Sequence, residues 1–164
     1  MLVWRRILVP TDFSETSEAA VRQGVDLART FNASVILLYV GDGPASESAT
    51  DFPLGIDADL QDAERERMLR ILAPFDRQIV RPELVVSTGA AAQEIVRCAE
   101  EREVDLIVMG THGRSGVRHM LLGSVAEKVI RTAPCPVLVV RGSAAAVGVE
   151  VQLVPASVGV ALNA

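Results

Sequence analysis

Short Val/Ile/Leu runs alternate with amphipathic helical patterns along the first 141 residues. That alternation restricts the chain to an α/β fold with a parallel sheet. The first strand is expected at Arg6–Val9, carried by Ile7, Leu8 and Val9 and stopped by Pro10. Ser14 is placed to cap the helix that follows, with Glu15 in its first turn against the helix dipole. Ala20, Gly24, Leu27, Ala28 and Phe31 give that helix one buried face, and Asn32-Ala33-Ser34 ends it. Val35–Val40 reads as a second buried strand. After a surface loop from Gly41 to Ile56, Asp57–Ala73 reads as a charged helix with Leu60, Ala63, Met68, Ile71 and Leu72 inward. Glu83–Ser87 is the third strand, and Gly89–Arg102 contains a helix with Ala91, Ile95, Cys98 and Ala99 on one face. Val104–Met109, broken only by Asp105, gives a fourth strand. Ser124–Thr132 is a helix, and Val137–Val140 is a wholly apolar fifth strand. Five strands with helical crossovers make a doubly wound sheet.

Aromatic residues are only 4% of the chain and hydrophobic residues 49%, so the core must be built from Val, Leu, Ile and Ala. Parallel strands buried on both faces require that composition. A net charge of −5 argues against nucleic acid as a partner. No apolar run approaches the ~20 residues of a membrane span. The opening Met1-Leu-Val-Trp-Arg-Arg-Ile-Leu8 lacks the signal-peptide order of charge, apolar stretch and cleavage site. A cytoplasmic protein without a membrane partner is therefore expected. Cys98 and Cys135 lack the spacing of a metal site and read as buried small hydrophobes.

The chemistry is concentrated in the loop Gly110-Thr-His112-Gly113-Arg114-Ser-Gly116-Val-Arg118-His119-Met-Leu-Leu-Gly123-Ser124, which joins a buried strand to a helix. In that context bare backbone N–H groups can approach a polyphosphate, and the helix N-terminus favours negative charge. The loop is not a P-loop, because no glycine precedes a lysine and the only lysine is Lys128. Nor is it the Gly-x-Gly-x-x-Gly dinucleotide fingerprint, since its first glycines fall at 110, 113 and 116. The spacing Gly-x2-Gly-x9-Gly-Ser resembles the nucleotide-binding signature of universal stress proteins, in the branch that binds ATP. Ile7-Leu-Val-Pro10-Thr11-Asp12-Phe-Ser14 also resembles the first strand and turn of this family.

The resemblance implies a Rossmann-like sheet in the order 3-2-1-4-5, with helices on both faces. It implies a nucleotide-binding domain over residues 1–141 and a C-terminal extension over 142–164, where Val149, Val151 and Leu153 alternate as in a short strand or belong to a mobile tail. The turns after Pro10 and Met109 would then face each other at the topological switch point. By resemblance Pro10, Thr11 and Asp12 lie at the nucleoside, with Asp12 accepting hydrogen bonds from adenine or ribose. Read from the residues alone, Asp12 can instead serve the cap near Ser14. The main chain of Val40 would meet the adenine edge, and Met109 with Gly110 the ribose side. Gly110, Gly113 and Gly123 would admit phosphate to the backbone, aided by the N–H groups of Ser124 and Val125.

Ser124 has two candidate roles: capping its own helix through the box Ser124-Val-Ala-Glu127, or holding a phosphate. Ala126 departs from family members that carry a hydroxyl there. Arg114, Arg118, His112 and His119 gather positive potential beside the glycines. The implied ligand is ATP, or AMP or ADP, with Mg2+; no catalytic residue and no side-chain metal site is expected. The leading function is a regulator acting through nucleotide occupancy on unidentified protein partners. The alternatives are a slow ATPase or nucleotidyl-transfer enzyme of the same superfamily, and a nucleotide-free interaction domain. A homodimer through Val137–Val140 is also implied, because an apolar edge strand invites pairing.

Overall fold

The structure, a computed structural model, describes residues 4–42, 58–75, 82–111 and 122–141. Its elements are β1 (Arg6–Thr11), α1 (Glu15–Phe31), β2 (Ser34–Gly41), α2 (Ala58–Leu72), β3 (Glu83–Thr88), α3 (Ala91–Glu101), β4 (Leu106–Gly110), α4 (Ser124–Thr132) and β5 (Val137–Val140). The five strands are parallel in the order β3-β2-β1-β4-β5.

Successive strand residues serve opposite faces, so the sheet carries two cores. Ile7, Val9, Val35, Leu37, Leu106 and Val108 pack with the inner faces of α1 and α2. Leu8, Ile36, Leu38, Ile107 and Met109 pack with Ile95 and Ala99 of α3 and with Ala126 and Val129 of α4. Burial on both faces is why these strands read as unbroken apolar runs rather than as alternating ones.

Ser14 caps α1, its hydroxyl accepting the Ser17 N–H at 3.3 Å, and Asn32 ends the helix in the left-handed conformation at φ 53°. The buried face is Ser17, Ala20, Val21, Gly24, Val25 and Ala28. Phe31, expected on that face, is instead 38% exposed and meets Trp4 edge-on at 4.7 Å. It is the last helical residue before the Asn32 cap. Ala63 is likewise exposed rather than inward, whereas Met68 and Leu72 are buried.

Gly24 sets how closely α1 approaches the sheet, because a Cβ there would lie 2.6 Å from Val9 Cγ2. Gly24→Ala is therefore expected to cost about 1–3 kcal/mol through overpacking, read as a lowered denaturation midpoint with an unchanged denaturant slope.

Two sequence features acquire reasons here. Pro10 does not stop β1, which continues to Thr11. The ladder to β2 runs from Arg6 to Thr11, whereas pairing to β4 is confined to Ile7 and Leu8. The end of β1 is thus paired on one side only, where a proline is tolerated. Asp105, the polar interruption before β4, accepts the N–H groups of Arg5 at 2.7 Å and Arg6 at 2.9 Å and so pins the start of β1.

Candidate functional site

Because β1 and β4 separate after Leu8, while α1 and α4 leave for opposite faces, a cleft of about 370 Å3 opens at the carboxyl ends of the strands. This is the switch point at which α/β sheets bind ligands. The cleft brings together Pro10, Thr11 and Asp12 from β1 and its turn, Val40 from β2, and Met109 and Gly110 from β4. Gly123, Ser124 and Val125 at the start of α4 complete it. Gly113 and Arg114 lie outside the described residues, as do His112, Gly116, Arg118 and His119.

The β1–α1 turn is internally tied. Thr11 is 5% exposed, and its hydroxyl accepts the Phe13 N–H at 3.1 Å and shares a hydrogen bond of the same length with Ser17 Oγ. Asp12 Oδ1 accepts from the Ser14 N–H at 3.1 Å and from Ser14 Oγ at 2.5 Å. Asp12 therefore holds the capping residue of α1 and faces the cleft at once.

The far wall is the amino end of α4. Its N-cap is Gly123, at φ −75° and ψ 153°, and no side chain caps it. Of the two roles open to Ser124, the capping box with Glu127 does not form, since Ser124 is already the first helical residue. Gly123 takes the cap position because its C=O accepts the first helical hydrogen bond, from the Glu127 N–H at 2.9 Å, while its own N–H donates to Thr111 O at 2.7 Å and ties the loop's exit to its entrance. Among the described residues, no side chain caps the first-turn N–H groups of α4 at the cleft, as an anion site requires.

The glycines of the loop differ in kind. A Cβ at Gly110 would lie 3.1 Å from the Thr16 backbone, so Gly110 serves close packing of β4 against α1. Gly123 has backbone angles that any residue adopts.

Several wall residues carried no chemical signal in the sequence. Leu38 and Tyr39 of β2, and Ala91 and Ile95 of α3, form the apolar side of the cleft. Helix α3 is held there by Glu94, which is buried and accepts hydrogen bonds from Ser87 Oγ and Arg97. That carboxylate beside it raises the pKa of the Arg97 guanidinium. Ala126, lacking a hydroxyl, is 2% exposed and packs into the core beneath the cleft. Burial pushes the thiols of Cys98 and Cys135 up to about 11, which leaves both in their unreactive protonated form near neutrality.

The Universal stress protein family profile matches residues 4–141. The chain belongs to that family. Among its relatives, universal stress protein MJ0531 of Methanocaldococcus jannaschii is 36% identical over 144 residues, covering 85% of this chain and 83% of its own length. MJ0577 of the same organism is 34% identical over 157 residues, covering 85% and 96%. The solved structure of MJ0577 superposes with a TM-score of 0.66, covering 87% of this chain and 99% of that one. A universal stress protein solved in complex with cAMP superposes with a TM-score of 0.61 at 29% identity, covering 86% and 99%. As in these Rossmann-like relatives, the present sheet has helices on both faces. No helix among the described residues is long and apolar enough to cross a membrane.

Proposed function

We propose that this universal stress protein belongs to the ATP-binding branch and binds adenine nucleotide in the strand-end cleft. In this reading it acts as a cytoplasmic regulator whose nucleotide occupancy is read by partner proteins. The observation that carries the reading is the amino end of α4, capped by no described side chain, opening onto the cleft that Asp12 also lines. The nucleoside would lie between Val40 and the Met109–Gly110 end of β4, against the apolar wall of Tyr39 and Ile95. Its phosphates would run to Gly123, Ser124 and Val125. The cAMP complex of a relative supports an adenine ligand.

Charge argues for a divalent ion. The described residues lining the cleft include the carboxylates Asp12 and Asp42 and no cationic side chain. A bare triphosphate would meet those two charges with only a helix dipole and the cations of the 112–121 loop to offset it. Mg2+ bridging the phosphates removes that repulsion, using oxygen ligands as this ion prefers. Calorimetry of ATP, AMP and adenosine with and without Mg2+ tests the reading. Mg2+ should tighten ATP binding and leave adenosine unchanged. Absence of adenine-nucleotide binding at millimolar ligand overturns it.

We also propose that two copies pair through the edge of β5 that no described strand covers. The side chains of Val137, Leu138 and Val139 are at most 8% exposed within one copy, so the strand does not present the bare apolar surface its composition suggested. What it presents is backbone. Donation from Ile107 N–H to Pro136 O and from Thr111 N–H to Val140 O directs the even-numbered residues of β5 toward β4. The N–H and C=O groups of Val137 and Val139 therefore face outward. Val139→Asp would bury a charge and unfold the protein. Val139→Pro instead removes one outward donor and is expected to yield a folded monomer by light scattering. A wild type that is monomeric at high micromolar concentration refutes the dimer.

A further inference from the structure

We propose that the groove between α1 and α2 is a second ligand site, for a small organic carboxylate with an apolar body. The groove measures about 510 Å3 and shares no lining residue with the strand-end cleft. Pockets that hold small ligands span roughly 300–1,000 Å3 and combine an apolar lining with a few placed polar groups. Here Phe13, Ile71 and Phe75 supply the apolar surface, and Arg22, Arg67 and Arg70 supply guanidinium groups.

Three arginines against one carboxylate, Glu18, line this surface of a chain whose net charge is −5. Arg22 and Arg70 are held only weakly by existing partners. The Arg70–Glu66 pair spans 3.7 Å with side chains 67% and 73% exposed, a setting in which ion pairs contribute little. Among the described residues, no carboxylate lies within 4 Å of the Arg22 guanidinium, whereas Arg67 pairs with Glu64 at 3.4 Å. Guanidinium forks match carboxylate geometry, and their aliphatic stems extend the apolar surface.

Phe13 adds an independent observation. Its φ of 63° lies in the left-handed region that bulky residues rarely adopt. Such strain persists only where its surroundings fix it, and it gathers at ligand sites. The Thr11 hydroxyl holds the Phe13 N–H, the Arg67 guanidinium sits 3.9 Å from the ring centroid, and the Tyr39 ring packs at 4.9 Å. The strained residue thus presents an aromatic surface to the groove under a cation. An inorganic anion would leave the Ile71 and Phe75 surface unused, and an uncharged hydrocarbon would leave the arginines unused.

Naphthoate and its uncharged alcohol, naphthalenemethanol, titrated into the full chain by calorimetry, test the site. Naphthoate should bind saturably with one-to-one stoichiometry and at least about tenfold more tightly than the alcohol, as a charged hydrogen bond dictates. The double variant Arg22→Gln/Arg70→Gln changes exposed helical positions and keeps most of each aliphatic stem, so that the guanidinium charge alone is lost. It should weaken naphthoate by about tenfold and leave the alcohol unchanged. Glu18→Gln, which removes the opposing charge, should tighten naphthoate. Equal binding of acid and alcohol overturns the proposal. So does naphthoate binding that survives the arginine changes but is lost in Gly123→Val, because the probe then occupies the strand-end cleft. These outcomes do not depend on whether the chain binds ATP.

Discussion

Gly123→Val should remove phosphate-dependent binding while leaving the fold nearly as stable as wild type. The backbone at Gly123 is extended, at φ −75° and ψ 153°, so valine meets no conformational barrier there. Gly123 is the N-cap of α4, a position glycine favours and valine does not, so the exchange costs about 1 kcal/mol. In a domain of this size that lowers the melting temperature by about 2–4 °C. The ligand side is different. A β-branched side chain at the cleft stands between an incoming phosphate and the first-turn N–H groups of α4. Losing two or more hydrogen bonds to a charged group, each worth about 1.5–3 kcal/mol, predicts a loss of more than about a hundredfold in ATP affinity. Adenosine, which has no phosphate, should bind as before. Calorimetry paired with thermal melts decides the matter, and parallel losses of stability and affinity would mean that the glycine serves only the turn. Gly110→Ala provides the contrast. Its Cβ would press on the Thr16 backbone at 3.1 Å, so that change should cost stability whether or not nucleotide is present.

That contrast shows where sequence reading succeeds and stops. Four of the five strands were legible because burial on both faces leaves a compositional trace, visible in Val35–Val40 and Val137–Val140, whereas the edge strand β3 is only partly buried. The sheet order was available only through resemblance, since nothing local in a strand states its neighbour. The helix Ser124–Thr132 was read with its observed bounds, but Ser124 was left with two roles because Ser124 and Glu127 satisfy the capping pattern, and only the Glu127–Gly123 hydrogen bond shows that Gly123 is the cap. Pro10 looked like a stop because a sequence cannot show that β4 has already parted from β1. Tyr39 and Ile95 were invisible as wall residues for a simpler reason. An apolar side chain lining a ligand cleft and one filling a core look alike until the sheet is assembled.

Asp12→Ala and Ser14→Ala should separate two roles that the structure joins in one turn. The Asp12 carboxylate accepts two hydrogen bonds from Ser14, and Ser14 in turn accepts the Ser17 N–H as the cap of α1. Removing the Ser14 hydroxyl should therefore cost about 0.5–2 kcal/mol of stability, as for other lost caps. Nucleotide affinity should stay close to wild type, because the carboxylate remains at the cleft. Removing Asp12 loosens the same cap from the other side and also withdraws an acceptor from the cleft wall. A carboxylate has about four acceptor sites, so holding Ser14 and recognising a nucleoside are compatible tasks. One lost hydrogen bond to a charged group corresponds to about 1.5–3 kcal/mol, roughly ten- to hundredfold, and it should fall on ATP and adenosine alike. Arg114→Ala and Arg118→Ala, outside the described residues, should by contrast weaken ATP far more than adenosine. If Asp12→Ala leaves both affinities unchanged, the residue serves only the turn. If Ser14→Ala lowers affinity as much as Asp12→Ala does, the geometry of the turn, rather than the carboxylate, is what the ligand requires.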